Sequence, residues 1–146
     1  MPGAYLDTGL FVALVFLDDE HHSRAIELAE QLIKGDFGRP IQTSSAVFIE
    51  TAAMIHSRSS GPRKEERAFE KIRRIFSFIE GYKIELILLT EDWVERARKL
   101  YEERRGHLDF VDTINVAYLR NNNVNQIVSF DGDYDQFSGE GIIRIY

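Results

Sequence analysis

Short apolar segments alternate with helical segments along the chain, and this alternation constrains the fold more than any other feature. The predicted strands are 3–6, 41–43, 83–89, 126–130 and 142–145. Apolar residues at helical spacing, and a buried apolar run at the start, predict helices over 8–18, 23–34, 45–58, 63–79, 91–104 and 109–121. We therefore predict an α/β fold with three layers, a central, mostly parallel sheet of four to five short strands flanked by helices.

Two segments carry more specific structural predictions. Segment 63–79 is the clearest amphipathic helix, and its predicted inward face consists of Ala68, Phe69, Ile72, Ile75, Phe76 and Ile79. Segment 131–141 is rich in Asp and Gly and predicts a polar turn before the last strand. Met54 and Trp93 are predicted core residues.

Composition limits the classes of protein to consider. A length of 146 residues predicts one domain over 1–146, and the absence of cysteine excludes thiolate metal sites and cysteine nucleophiles and fits a cytoplasmic location. The apolar run 10–17 is too short to cross a membrane and lacks the flanks of a signal peptide. The net charge of −6 means that any contact with nucleic acid needs a local basic surface or a bound metal ion.

Four acids lie near predicted junctions between strands and helices: Asp7, Glu50, Asp112 and Asp131. In a parallel sheet, residues that follow the strands collect at one edge, where ligands bind. No lysine or arginine lies near Asp7 or Glu50 in sequence to neutralise them. Hard oxygen ligands without cysteine or a suitable histidine pair favour Mg²⁺ or Mn²⁺.

Each of these acids also has a purely structural interpretation. Asp7 is suited to cap the helix that follows it, Asp131 to a turn, and Glu50 to a solvated helix margin. Asp112 stands three residues after Asp109, as in a capping box. We predict that Asp109 is the N-cap of its helix and that Asp112 points from the first turn toward Asp7.

Four motifs in order resemble the PIN-domain nuclease family, and most closely its VapC-type toxins. They are Tyr5-Leu6-Asp7-Thr8-Gly9-Leu10, Thr43-Ser44-Ser45 with Glu50, Leu108-Asp109-Phe110-Val111-Asp112-Thr113 and Ser129-Phe130-Asp131-Gly132-Asp133-Tyr134. The resemblance implies a PIN-like fold and Mg²⁺- or Mn²⁺-dependent cleavage of RNA. It further implies a homodimer bound by an antitoxin protein.

By the same resemblance, specific side chains acquire roles. The catalytic and metal-binding residues would be Asp7, Glu50, Asp112 and Asp131, and possible additional site residues are Thr8, Asp109 and Asp133. The sequence departs from the family at Gly9, where many members carry Ser or Asn.

Other interpretations stay open at this point. The chain could be a PIN-like module that binds RNA or protein without cutting. The densest basic stretch is a candidate RNA contact or a solvated helix face, and it comprises Arg58, Arg63, Lys64, Arg67, Lys71, Arg73 and Arg74. His21 and His22 are adjacent, so they cannot share a helix face as a metal pair, and we interpret them as a solvated helix entry.

Overall fold

A five-stranded parallel sheet forms the centre of the computed structural model, which describes residues 3–146. The strands are β1 (Ala4–Leu6), β2 (Ile41–Ser44), β3 (Glu85–Ile87), β4 (Gln126–Val128) and β5 (Ile143–Ile145). Their order is β3-β2-β1-β4-β5, and every neighbouring pair is parallel. The predicted α/β architecture is confirmed, although the third and fourth strands are shorter than the sequence pattern indicated.

Helices connect the strands and cover the sheet. They are α1 (Thr8–Val15), α2 (His22–Lys34), α3 (Ser45–Arg58), α4 (Lys64–Gly81), α5 (Glu91–Glu103) and α6 (Phe110–Arg120). A 3₁₀ helix, Gly132–Glu140, joins β4 to β5. No helix in the described range 3–146 has both the length and the apolar character needed to cross a membrane.

Strand β1 lies at the centre of the sheet, which explains its apolar sequence. Ala4, Tyr5 and Leu6 are completely buried, as expected for a strand with a covered face on each side. Gly3 precedes them with φ of +87°, and a β-carbon there would lie only 2.1 Å from the Pro40 carbonyl oxygen. This position therefore needs glycine both for its backbone conformation and for the close approach of β2.

The prediction of a polar turn over 131–141 was wrong. The segment forms the 3₁₀ helix, and its two aromatic side chains, Tyr134 and Phe137, are buried. They stand three residues apart, which is one turn of a 3₁₀ helix, so both face the core while Asp135 and Gln136 between them are exposed. The predicted helix 8–18 also ends early, at Val15, because Phe16 adopts an extended conformation.

The predicted inward face of segment 63–79 was partly wrong. Ala68, Ile75 and Ile79 are buried in α4, but Phe69 is 60% exposed and Phe76 is 44% exposed. The apolar face of α4 is wider than the surface it covers, and Phe76 rests at its margin against Phe48, with ring centroids 4.6 Å apart. Of the two single core predictions, Trp93 is buried, whereas Met54 is 39% exposed and was predicted wrongly.

Candidate metal centre

The predicted acids lie beside the C-terminal ends of β1 and β4. The chain leaves β1 toward β2 on one side, and β4 and β5 fill the other side, so the strand order reverses between β1 and β4. Such a reversal opens a crevice at the C-terminal edge of a parallel sheet. Asp7 follows β1 directly and Asp131 follows β4 by three residues, which places both at the crevice.

Asp7 is a buried carboxylate that accepts hydrogen bonds through both of its oxygens. Its Oδ1 accepts from the Thr8 backbone N–H at 2.8 Å and from Asn115 Nδ2 at 3.1 Å. Its Oδ2 accepts from the Ser129 hydroxyl at 2.7 Å. Asp7 is therefore the N-cap of α1, as its structural interpretation required, and it is also tied to α6 and to the end of β4.

Burial raises the pKa of Asp7 to about 6. The hydrogen bonds from Ser129 and from the Thr8 N–H oppose this rise, and the charges of Glu50 and Asp131 add to it. A carboxylate that is removed from water and placed among other carboxylates favours its neutral form. A cation in the crevice would reverse that preference.

Asp112 shows the largest such shift among the acids of the site. Burial raises its pKa to about 8, against the opposing hydrogen bond from Tyr134 and with added repulsion from Asp109, Asp7 and Asp131. The Tyr134 hydroxyl donates to Asp112 Oδ1 at 2.7 Å. Because Asp112 is only 6% exposed, it is stable as a charged group only when an opposite charge approaches it.

Asp109 occupies the position predicted for it. It is the N-cap of α6, and its Oδ1 accepts from the Asp112 backbone N–H at 2.8 Å. Asp109 is exposed, whereas Asp112, in the first turn of α6, is buried. The carboxylate of Asp109 therefore caps the helix, while the carboxylate of Asp112, one helical turn later, is buried in the crevice.

Sequence reasoning missed three side chains that hold these acids in place: Asn115, Ser129 and Tyr134. Asn115 is fully buried; its Nδ2 donates to Asp7 Oδ1 and to the Tyr134 hydroxyl at 2.9 Å. Its Oδ1 accepts from the Tyr5 hydroxyl at 2.7 Å. One signal was present in the sequence, because Asn115 lies three residues after Asp112 in an otherwise apolar helix and so shares its face.

Asp131 and Asp133 complete a group of acids around Asp112. One carboxylate oxygen from each of the three lies within 4.8 Å of the others, which is close enough for a shared divalent ion. Asp131 also caps the 3₁₀ helix by accepting from the Asp133 backbone N–H at 2.9 Å. The structural interpretation of Asp131 therefore holds together with its place in the acidic group.

Glu50 and Thr8 also lie close to Asp7, because Thr8 follows it directly and the charge of Glu50 acts on it. Burial raises the pKa of Glu50, which is half-buried, and the nearby Thr8 hydroxyl opposes the rise while Asp109 adds to it. The Thr8 hydroxyl is itself buried and has no hydrogen-bond partner of ordinary length among residues 3–146. A buried hydroxyl that lacks a partner and faces acids is chemically suited to contact a hydrated cation.

The charge balance of the crevice fits a divalent ion. No site acid, including Asp7, Glu50, Asp112 and Asp131, forms an ion pair with lysine or arginine in the described part of the chain. Carboxylate and hydroxyl oxygens are the ligands that Mg²⁺ and Mn²⁺ prefer. The acids, the unpartnered hydroxyl and the missing counter-charges therefore all suit the same kind of ion.

Comparison with known proteins agrees with this architecture. The family model of the PIN domain matches residues 4–140, so the chain belongs to the PIN-domain family. No curated protein matches the sequence. Among solved structures, the fold is similar to that of VapC20 of Mycobacterium tuberculosis, described as a toxin that cleaves the sarcin-ricin loop. The TM-score is 0.73 at 23% identity, over 97% of this chain and 98% of that one.

Proposed function

We propose that this PIN domain is a metal-dependent endoribonuclease and the toxin of a toxin–antitoxin pair. The observation that carries the proposal is the group of buried or half-buried acids whose pKa values are raised and which lack basic partners. Acids in such surroundings destabilise a protein unless they bind something, so a functional ligand explains them better than a structural role. The similar fold of a ribonuclease toxin supports the choice of RNA as substrate.

In this proposal each acid has a distinct task. Asp112, Asp131 and Asp133 would hold the ion, because one carboxylate oxygen from each lies within 4.8 Å of the others. Asp7, which lies close enough to Glu50 and Asp131 for their charges to raise its pKa, would add a further carboxylate to the ion site, and Glu50 would hold water or a second ion. A bound Mg²⁺ or Mn²⁺ supplies a water of lowered pKa and polarises the phosphate.

The surrounding residues keep the acids in position. Asn115 and Ser129 leave Asp7 with little freedom to rotate, since they engage its two oxygens separately. Thr8 presents its unpartnered hydroxyl to the same space. The RNA strand would enter from the solvent side, where Asp133 is exposed.

The alternative from another class is a PIN-like module that binds RNA or protein without cutting it. Cleavage of a labelled RNA by purified protein in Mn²⁺, with loss of cleavage in excess chelator and recovery on readdition, separates the two. We expect cleavage with this metal dependence. Binding of RNA without cleavage in Mg²⁺ and in Mn²⁺ would favour the binding module.

The ion site can be tested without any measurement of activity. We expect calorimetric titration of Mn²⁺ to show weaker binding by Asp7→Asn than by the unmodified protein. Asp36→Asn is a matched control, because Asp36 is an exposed acid before β2, at the opposite edge of the sheet. Equal affinity in all three proteins would contradict the proposed site.

The proposal includes the remaining partners that the family resemblance implies. We propose a cytoplasmic homodimer that an antitoxin protein binds. Exposed large apolar side chains support contact with other chains, and they include Ile49, Phe69, Phe76 and Leu88. A monomer at tens of micromolar by light scattering would contradict the homodimer.

A further inference from the structure

We infer that His21, stacked on Phe130 at the rim of the acidic crevice, is a stacking platform for one nucleobase of a single-stranded RNA substrate. The inference rests on the proposed ribonuclease function and adds a side chain that positions the substrate. It arises from an aromatic pair that the metal site leaves unused.

The two rings form the flattest aromatic stack in the described part of the chain. Their centroids are 4.3 Å apart and their planes differ by 7°. The side chain of His21 is 43% exposed. Glu20 lies 3.4 Å from Nε2, which is a contact with the ring edge, so this acid does not cover the ring face that is turned away from Phe130.

The segment that carries His21 is held in place through Asp19. Asp19 Oδ1 accepts from the His21 backbone N–H at 2.9 Å, and Asp19 Oδ2 accepts from Arg58 on α3 at 2.8 Å. The guanidinium of Arg58 also lies over the ring of Phe16, 4.2 Å from its centroid. The imidazole is therefore presented from a fixed backbone, which reduces the entropy lost when a base stacks on it.

The stack also lies next to the proposed chemistry. Phe130 directly precedes Asp131, and a β-carbon placed on Gly9 would lie 3.7 Å from Phe130 Cδ2. Gly9 in turn follows Thr8, whose hydroxyl faces the crevice. A base on His21 would thus belong to a nucleotide close to the phosphate that the acids address.

Stacking suits an acidic protein better than phosphate contacts do. The chain has a net charge of −6, and the basic residues of α4 are diluted by glutamates, as in the pairs Arg63–Glu66 and Arg73–Glu70. Stacking on an aromatic ring contributes about 1–3 kcal/mol per base and does not require positive charge. His21 can therefore hold the strand where bulk electrostatics repel it.

The test combines a protein variant with abasic RNA. In an Asp112→Asn background, which we expect not to cleave, the affinity for a dye-labelled ten-nucleotide RNA is measured by fluorescence anisotropy. We expect His21→Ala to weaken binding by about 5- to 100-fold and His21→Phe to restore it. His56→Ala is the matched control, because His56 is an exposed histidine near the end of α3.

Removing each base in turn then locates the contact. One abasic position should weaken binding by the protein with His21 and have no further effect on His21→Ala. Additive losses at every position would overturn the inference, and so would recovery by His21→Lys but not by His21→Phe, since that pattern indicates a phosphate contact.

Two further results separate this inference from the proposed function. Cleavage by the otherwise unmodified His21→Ala protein with an unchanged KM would overturn the platform and leave the ribonuclease intact. Absence of both binding and cleavage in the unmodified protein would overturn both. The Mn²⁺ affinity of His21→Ala should equal that of the unmodified protein, which rules out damage to the metal site.

Discussion

Two groups of acids in this protein have opposite electrostatic surroundings, although both lie partly on the same 3₁₀ helix. Asp135 faces Arg144, with two hydrogen bonds of 2.8 and 2.9 Å, and this guanidinium lowers the pKa of Asp135. Asp131 and Asp133, four and two residues earlier, have no ion pair within residues 3–146. They turn instead toward Asp112, whose pKa burial raises to about 8.

The comparison shows that the partner of an acid, rather than its place in sequence, indicates its function. The hydrogen bonds from Arg120 lower the pKa of Glu140 at the far end of the same helix, as expected for an acid in a surface ion pair. The acids of the crevice lack such partners, and Asp7, Glu50 and Asp112 among them are buried or half-buried. The negative charge that no lysine or arginine pairs with is therefore concentrated at the crevice, where a cation can bind.

The largest effect should come from removing one charge from the acids of the crevice, compared with the same change in the ion-paired group. We expect Asp112→Asn to abolish metal-dependent RNA cleavage, because it removes a buried ligand charge while keeping the size of the side chain. Asp135→Asn is the matched change on the ion-paired side, and it should leave cleavage close to normal. Single-turnover cleavage in Mn²⁺ measures both variants.

Melting temperatures in chelator provide the control for folding in that comparison. Asp112→Asn should lose little stability, since a carboxylate crowded by other acids does not stabilise the metal-free protein. Cleavage by Asp112→Asn at the normal rate, or loss of cleavage in Asp135→Asn with an unchanged melting temperature, would show that the comparison assigns the two groups wrongly.

Removing one hydroxyl should have a smaller effect. Tyr134→Phe keeps the buried ring but deletes the hydrogen bonds that join the hydroxyl to Asp112 and Asn115. We expect a loss of about 10- to 100-fold in Mn²⁺ affinity, because side chains that orient metal ligands have effects of this size. Calorimetry measures the affinity; an unchanged value would mean that Asp112 does not depend on Tyr134 for its orientation.

The raised pKa values also predict how stability depends on pH. Asp7 and Asp112 have folded-state pKa values of about 6 and about 8, above the usual value of 3.8, so the folded state binds more protons than the unfolded state between these limits. Their stabilising contribution is complete below about pH 4 and is lost as pH rises through 6 and then 8.

In chelator, we therefore expect the unmodified protein to lose several kcal/mol of stability, on the order of 5 kcal/mol, between pH 5 and pH 9 from these groups. Asp112→Asn should lose less over the same range, because it removes the group with the higher pKa. Urea unfolding at each pH measures the difference. Parallel curves for the unmodified protein and Asp112→Asn would contradict the raised pKa of Asp112. Asp135→Asn is the control, and its stability should fall with pH as much as that of the unmodified protein does.

The sequence predicted the sheet and the positions of the acids better than it predicted what surrounds them. The apolar segment Ala4–Leu6 and its counterparts are local patterns, and their alternation with helices determines the parallel topology. The helix cap at Asp109 is equally local, and it was predicted correctly.

The supporting contacts of the site could not be predicted, because they join residues that are distant in sequence. The Ser129 hydroxyl meets Asp7 across 122 residues, and Asn115 meets it across 108 residues. The 3₁₀ helix was missed because its acids and glycines have turn propensity, which the burial of Tyr134 and Phe137 overrides.

The smallest predicted effect separates two acids of a single helical turn. Asp109 accepts from the Asp112 N–H as the N-cap of α6, so Asp109→Ala should reduce the free energy of unfolding by about 1 kcal/mol. Much of the cleavage activity should remain, because Asp109 is exposed and lies outside the group formed by Asp112, Asp131 and Asp133. Asp109→Asn is the control, since an asparagine oxygen can still accept the capping hydrogen bond, and it should recover the lost stability. Urea unfolding and RNA cleavage in Mn²⁺ measure the two effects separately. If Asp109→Ala proves inactive while Asp112→Asn still cuts, the roles of cap and ligand are reversed, and the acid that the crevice uses is the exposed one.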